Sequence, residues 1–127
     1  MDGKKLMIVD DDKELLEELR ETLSLKNYYL IVINDSTTVL DVASTSKPDV
    51  ILLDLNMDGM SGFRIAQSLK KSPLTSKIPI IAMTGVFTGK NHFSLMDLCG
   101  IEICLEKPFN PQDLILLLKK VISKIDT

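Results

Sequence analysis

Three consecutive aspartates, Asp10, Asp11 and Asp12, close the first apolar run of the chain, Leu6-Met7-Ile8-Val9. Asp54 closes a second, Val50-Ile51-Leu52-Leu53, Thr84 follows the run at 78–83, and Lys107 stands just past Ile101-Glu102-Ile103-Cys104-Leu105. Each has an ordinary use when alone, since acidic residues cap helices, Thr ends strands and a lysine is usually solvated. Brought together they mean something else. Several carboxylates in one crevice repel each other and are costly unless a cation or a lysine ammonium offsets them, so the set predicts a metal site. Oxygen-only donors point to Mg²⁺ or Mn²⁺ ahead of Ca²⁺.

Convergence depends on the elements that carry these residues. Five short apolar runs punctuate the chain, the four just cited and Tyr28 to Ile33. Those at 6–9, 50–53 and 78–83 are apolar at nearly every position, as a strand covered on both faces of a parallel sheet must be. They are expected at the centre of the sheet. The runs at 28–33 and 101–105 are less uniform and suit its two edges.

Helical patterns separate the runs. Leu15, Leu16, Leu19 and Leu23 form one stripe, with Glu14, Glu17, Glu18 and Glu21 mostly off it. Asp11 with Glu14 fits a capping box at its start, and Asp12 is the alternative cap. Ser36 is the expected cap of a helix with Val39, Leu40, Val42 and Ala43, and Ser61 of one with Phe63, Ile65, Ala66 and Leu69. A fourth helix falls somewhere in 89–98, where Thr88, Gly89 and Asn91 announce it poorly. The final helix is capped by Asn110, with Pro111 in its first turn and a broad apolar face from Leu114 to Ile125. Strand and helix alternating five times imply a doubly wound α/β domain spanning 1–127, in which ligands bind beyond the carboxyl ends of the strands.

Composition agrees with one folded domain and excludes several classes. At 127 residues with 45% hydrophobic and 26% charged residues, the chain can bury a real core and is not a disordered segment. A net charge of −3 disfavours a nucleic-acid surface. Cys99 and Cys104 are too few for a disulfide scaffold and wrongly spaced for a CxxC zinc site, so reduced thiols and a cytoplasmic location are expected. The residues before Asp10 do not read as a signal peptide, and no run has membrane-spanning length.

Ile8-Val9-Asp10-Asp11-Asp12, Leu52-Leu53-Asp54-Leu55-Asn56-Met57, Met83-Thr84-Gly85 and Lys107-Pro108-Phe109 resemble, in order, the four signature segments of two-component response-regulator receiver domains. The separations, 43 positions from Asp11 to Asp54, 30 to Thr84 and 23 to Lys107, are close to those of that family. The resemblance covers essentially the whole chain. It implies a flavodoxin-like (βα)5 fold with a five-stranded parallel sheet in the order 2-1-3-4-5. It also implies that Asp54 is the phosphoacceptor and that Mg²⁺ is held by Asp11 and Asp54, by the Asn56 carbonyl, and by Asp10 through a water. Thr84 and Lys107 would contact the phosphoryl group, and the Lys107-Pro108 bond would be cis. The implied partners are a histidine kinase or histidine phosphotransfer protein docking on the first helix, and an unknown output protein or effector domain. A homodimer through the fourth and fifth helices is compatible with the family, though no residue singles it out.

The residue types make chemical sense by themselves. A carboxylate attacks phosphorus competently once its charge is offset, and an aspartyl phosphate of roughly −1.5 to −2 charge offers three acceptors to Lys107 and the Thr84 hydroxyl. Drawing Thr84 inward would move the loop after it, which is the expected switch.

Two positions, Cys104 and Asp58, depart from the family pattern. Cys104 replaces the switch aromatic and, on an alternating strand, is expected to share a face with Glu102, opposite Ile101, Ile103 and Leu105. Asp58 replaces a common proline in a loop whose glycines, Gly59 and Gly62, suggest looseness. Gly85 and Val86 leave an approach to the site open but offer no polar group to position water, which predicts a long-lived phosphoryl state. His92, Met7, Met57, Met60, Met83 and Met96 read as surface or packing residues. Alternative functions are a pseudo-receiver that binds partners without phosphorylation, and a haloacid-dehalogenase-like phosphatase using Asp10 as nucleophile. Flavin binding is opposed by the acidic first loop, where a phosphate cradle would need Gly, Ser and Thr.

Overall fold

A computed structural model of the chain describes residues 3–55, 62–85, 100–101 and 103–125. Five strands, β1 (Lys5–Val9), β2 (Tyr29–Ile33), β3 (Val50–Asp54), β4 (Ile80–Thr84) and β5 (Ile103–Glu106), form one sheet in the order β2-β1-β3-β4-β5, with every pair parallel. The helices are α1 (Lys13–Ser24), α2 (Val39–Ser46), α3 (Gly62–Lys71) and the C-terminal helix (Pro111–Ile125). This is the flavodoxin-like receiver arrangement expected from the motifs.

The uninterrupted apolar runs are explained by two cores, one on each face. Side chains alternate along a strand, so Met7, Val9, Ile51, Leu53 and Ala82 face α2 and α3, while Leu6, Ile8, Leu52, Ile81 and Met83 face α1 and the C-terminal helix. β1, β3 and β4 are buried throughout except Lys5, and β2 and β5 are only partly so. The uniform runs therefore lie at the centre and the mixed ones at the edges.

Local choices differ in places from the sequence reading. Asp12, not Asp11, caps α1, its Oδ1 accepting from the amides of Glu14 (3.1 Å) and Leu15 (3.3 Å). Asp35, not Ser36, is the cap before α2. Its extended backbone lets its carboxylate take the Thr37 amide (3.0 Å) and hydroxyl (2.7 Å), and a 3₁₀ turn, Ser36–Thr38, precedes the helix. β4 starts at Ile80 because Ile78 still closes a turn onto the Thr75 carbonyl and Pro79 has no amide to give a ladder. β5 starts at Ile103, and Ile101, lying before it, joins the α2 and α3 side together with Cys104; only Ile103 and Leu105 take the opposite side. Asn110 caps the C-terminal helix as expected, its Oδ1 accepting from the Gln112 amide at 2.9 Å. The proposed Ser61 cap, the helix in 89–98 and Glu102 lie outside the described residues.

Candidate functional site

Strand register brings the chemistry together. Val9 is level with Leu53, Asp54 with Met83 and Thr84 with Glu106, so Asp10, Asp54, Thr84 and Lys107 leave the same end of the sheet within about one residue of each other. Backbone bonds extend the ladder past the strands: Asp10 donates to Ile33 (3.0 Å), Leu55 to Met83 (2.9 Å) and Lys107 to Thr84 (2.7 Å). The Lys107-Pro108 bond is cis.

The three aspartates of the first loop point three ways. Asp10 is completely buried, and its two oxygens have separate donors, the Asp12 amide at 2.9 Å on Oδ1 and the Lys107 ammonium at 2.7 Å on Oδ2. Asp11 is exposed and joins Asp10 and Asp54 in a cluster in which one carboxylate oxygen from each residue lies within 4.8 Å of the other two. Asp12 turns away to cap α1.

Asp54 is almost fully buried at the end of β3, with Oδ2 3.6 Å from the Lys107 ammonium. One lysine thus serves two buried carboxylates, which would otherwise repel at short range in a medium that screens poorly. With Asp11, the cluster holds three carboxylates. The set is all oxygen, negatively charged and open to solvent at Asp11, which is the chemistry that suits a hard divalent cation. Thr84, also completely buried, ends β4 beside this cluster.

Gly62 was missed by reading sequence alone. A Cβ there would collide with the Asp54 carbonyl oxygen and lie 2.6 Å from the Leu55 Cα, so only glycine lets α3 start against the backbone that carries Asp54. Far from marking looseness, it is a tight contact. The available signal was its place, directly before an apolar helical stripe in a chain with few glycines. Gly85 is the opposite case: among the described residues nothing lies within 4 Å of a notional Cβ.

Cys104 sits half-buried in β5, level with Ala82. Burial, and secondarily the Glu106 carboxylate, push its thiol pKa up, so it is a neutral apolar filler at ordinary pH. Asn56, Asp58, Gly59, Val86, His92, Cys99, Met57, Met60 and Met96 lie outside the described residues.

A family model described as the response regulator receiver domain matches residues 6–119. Over 124 residues the chain is 33% identical to the phosphate regulon transcriptional regulatory protein PhoB of Pseudomonas aeruginosa, an alignment covering 98% of this chain and 54% of that protein. It is 25% identical over 120 residues to the response regulator MprA of Mycobacterium avium, covering 94% of this chain and 51% of the relative. The chain therefore spans about half the length of the curated relatives it matches. Among solved structures, the signal receiver domain of the DNA binding response regulator protein (merR) from Colwellia psychrerythraea superposes with a TM-score of 0.85 at 33% identity, covering 95% of this chain and 99% of that one. The chemotaxis protein CheY4 of Vibrio cholerae gives 0.87 at 27% identity, with 94% and 98% covered.

Proposed function

Because this chain belongs to the response regulator receiver domain family, we propose that it is a phosphorylation-controlled switch in which Asp54 accepts a phosphoryl group from a partner phosphohistidine. The observation that carries this reading is the Lys107 ammonium set between two buried carboxylates, 2.7 Å from Asp10 and 3.6 Å from Asp54. In the transfer, an Asp54 carboxylate oxygen forms a bond to phosphorus as the partner's N–P bond breaks. The imidazole keeps the electron pair and takes up a proton. Later attack by water on phosphorus releases inorganic phosphate and restores Asp54.

Asp11 and Asp54 are suited to bind Mg²⁺ directly, with the Asn56 carbonyl as a further donor. Asp10, both of whose oxygens are engaged, is suited to act only through a water. When bound, Mg²⁺ supplies the positive charge that lets anionic oxygens approach one another. Lys107 adds a point charge that the new phosphoryl oxygens can recruit away from Asp10. Thr84, whose carbonyl holds the Lys107 amide, offers its hydroxyl to the same group and carries the following loop with it. The first helix is the proposed docking face for a histidine kinase or phosphotransfer protein, and residues 1–127 act as one receiver domain. The output passes to an unknown output protein or effector domain. Among the described residues no helix is long and apolar enough to cross a membrane. A phosphatase nucleophile at Asp10 is disfavoured by its complete burial and its two internal hydrogen bonds.

Amide NMR with beryllofluoride, a phosphoryl analogue, tests the reading in the wild type and in Asp54→Asn. Mg²⁺-dependent shifts around Asp54, Thr84 and Lys107 that vanish in the variant are expected. No response would turn the reading toward the pseudo-receiver, and a response kept in Asp54→Asn but lost in Asp10→Asn would turn it toward the phosphatase.

A further inference from the structure

Asp12 is bonded in two directions at once. Its backbone amide donates to Asp10 Oδ1 at 2.9 Å, while its side-chain Oδ1 accepts from the amides of Glu14 and Leu15 and its carbonyl from the amide of Leu16 at 3.0 Å. Three bonds thus tie it to the first turn of α1, and one ties it to a completely buried carboxylate. Its backbone is extended, with φ −84° and ψ 102°, the geometry that turns a capping oxygen back onto its helix. Fixing those torsions also fixes where its amide points.

The carboxylate that receives this amide carries the site's ammonium on its other oxygen, Asp10 Oδ2 accepting from Lys107 at 2.7 Å. A carboxylate held by one oxygen presents the other in one direction. The mount is firm, because Leu16, Leu19 and Leu23 anchor α1 in the core. The path from helix to ammonium therefore runs from α1 through Asp12 and Asp10 to Lys107, and each link is a hydrogen bond.

We propose that Asp12 is a positioning residue: its cap on α1 holds its amide against Asp10, and Asp10 so held sets where the Lys107 ammonium stands. Charge is not its contribution. Its carboxylate is committed to the helix, so a neutral cap of similar reach serves equally. The consequence for phosphoryl transfer rests on the reading of Asp54 as acceptor, from which Lys107 stands 3.6 Å away. An ammonium displaced from that acceptor offsets less of the charge that repels the incoming group. A partner that moves the first turn of α1 reaches the ammonium through this one residue.

Asp12→Ala removes the capping oxygen, and Asp12→Ser keeps one without the charge. NMR without divalent ions or phosphodonor reads the geometry directly. In the wild type the residue-12 amide proton should lie downfield and be protected. Asp12→Ala should speed its exchange about fivefold, as loss of a typical cap implies, and shift the Asp10 carboxyl carbon, while Asp12→Ser should restore both. Phosphoramidate, a small donor that docks on no helix, then gives the uptake rate with Mg²⁺. Asp12→Ala should lower the saturating rate about fivefold with the half-saturating donor concentration unchanged, and Asp12→Ser should recover most of it.

Wild-type signals at Asp10 and residue 12 in a folded Asp12→Ala would overturn the proposal, as would an Asp12→Ser variant as defective as Asp12→Ala. If Asp12→Ala unfolds the chain, Asp12→Gly takes its place, since glycine is a tolerated cap that also lacks the oxygen. A wild type that takes up no phosphoryl group would overturn the phosphoacceptor reading, and the donor-free spectra would still decide whether Asp12 holds Asp10.

Discussion

The Lys107 backbone amide donates to the carbonyl of Thr84 at 2.7 Å, so the two residues opposite Asp54 are coupled through their main chains as well as by position. A pull on the Lys107 side chain is transmitted to the end of β4. Likewise, a shift of Thr84 displaces the residue that neutralises Asp10.

Lys107→Met should therefore destabilise the chain, because Asp10 is fully buried and would keep one oxygen without its charged donor. Breaking a buried pair from one side costs about 3 kcal/mol. Urea unfolding checks this, and adding Asp10→Asn should recover part of the loss. Strictly additive effects would mean that the pair is not coupled.

Mg²⁺ should raise the unfolding free energy of the wild type, by about 1.4 kcal/mol at tenfold excess over its dissociation constant, because only the folded chain gathers the three carboxylates. Asp11→Asn removes the exposed member of the cluster and should shrink that increment without lowering stability in the absence of divalent ions. Thermal melts with Mg²⁺ and with a chelator distinguish these cases.

Gly62→Ala and Gly85→Ala make a matched pair. The first adds a methyl where the Asp54 carbonyl and the Leu55 Cα already stand, and should cost about 1 to 3 kcal/mol despite the better helix propensity of Ala. The second adds a methyl that meets none of the described residues and should stay within about 0.5 kcal/mol. Only Gly62→Ala should also slow phosphoryl uptake, since it shifts the backbone that carries Asp54.

The Cys104 thiol, with its pKa raised above the ordinary thiol value by burial first and Glu106 second, should alkylate slowly at neutral pH. Because the folded pKa lies above the unfolded one, the associated stability is fully present below the unfolded pKa and is lost as pH rises through the folded one. Glu106→Gln should move the onset of fast alkylation to lower pH. Iodoacetamide rates read on the Cys104 peptide test this, and an unmoved onset would mean that burial acts alone.

The layering of the fold was legible because a strand covered on both faces leaves an unbroken apolar run, and β1, β3 and β4 each left one. The convergence of Asp10, Asp54, Thr84 and Lys107 followed from the parallel order, which puts all strand ends on one side. Less visible were features decided by fractions of an ångström. Asp35 and Ser36 are equally able to cap a helix, and the extended backbone at Asp35 decided between them. Nothing local marks Lys107 as closer to Asp10 than to Asp54, because that preference depends on how three strand ends are spaced. Ile101 broke the alternation expected of it because it lies before the strand and is not bound by its pleat.

Asp10, Asp11 and Asp12 are one chemical group written three times, yet one faces the lysine, one faces solvent and one belongs to the helix. Their meaning is positional, like letters in a reading frame. Inserting or deleting a single residue after Val9 would leave the composition of the loop nearly intact and still hand every aspartate the duty of its neighbour. The same Asp→Asn exchange at the three positions should likewise produce three unrelated defects.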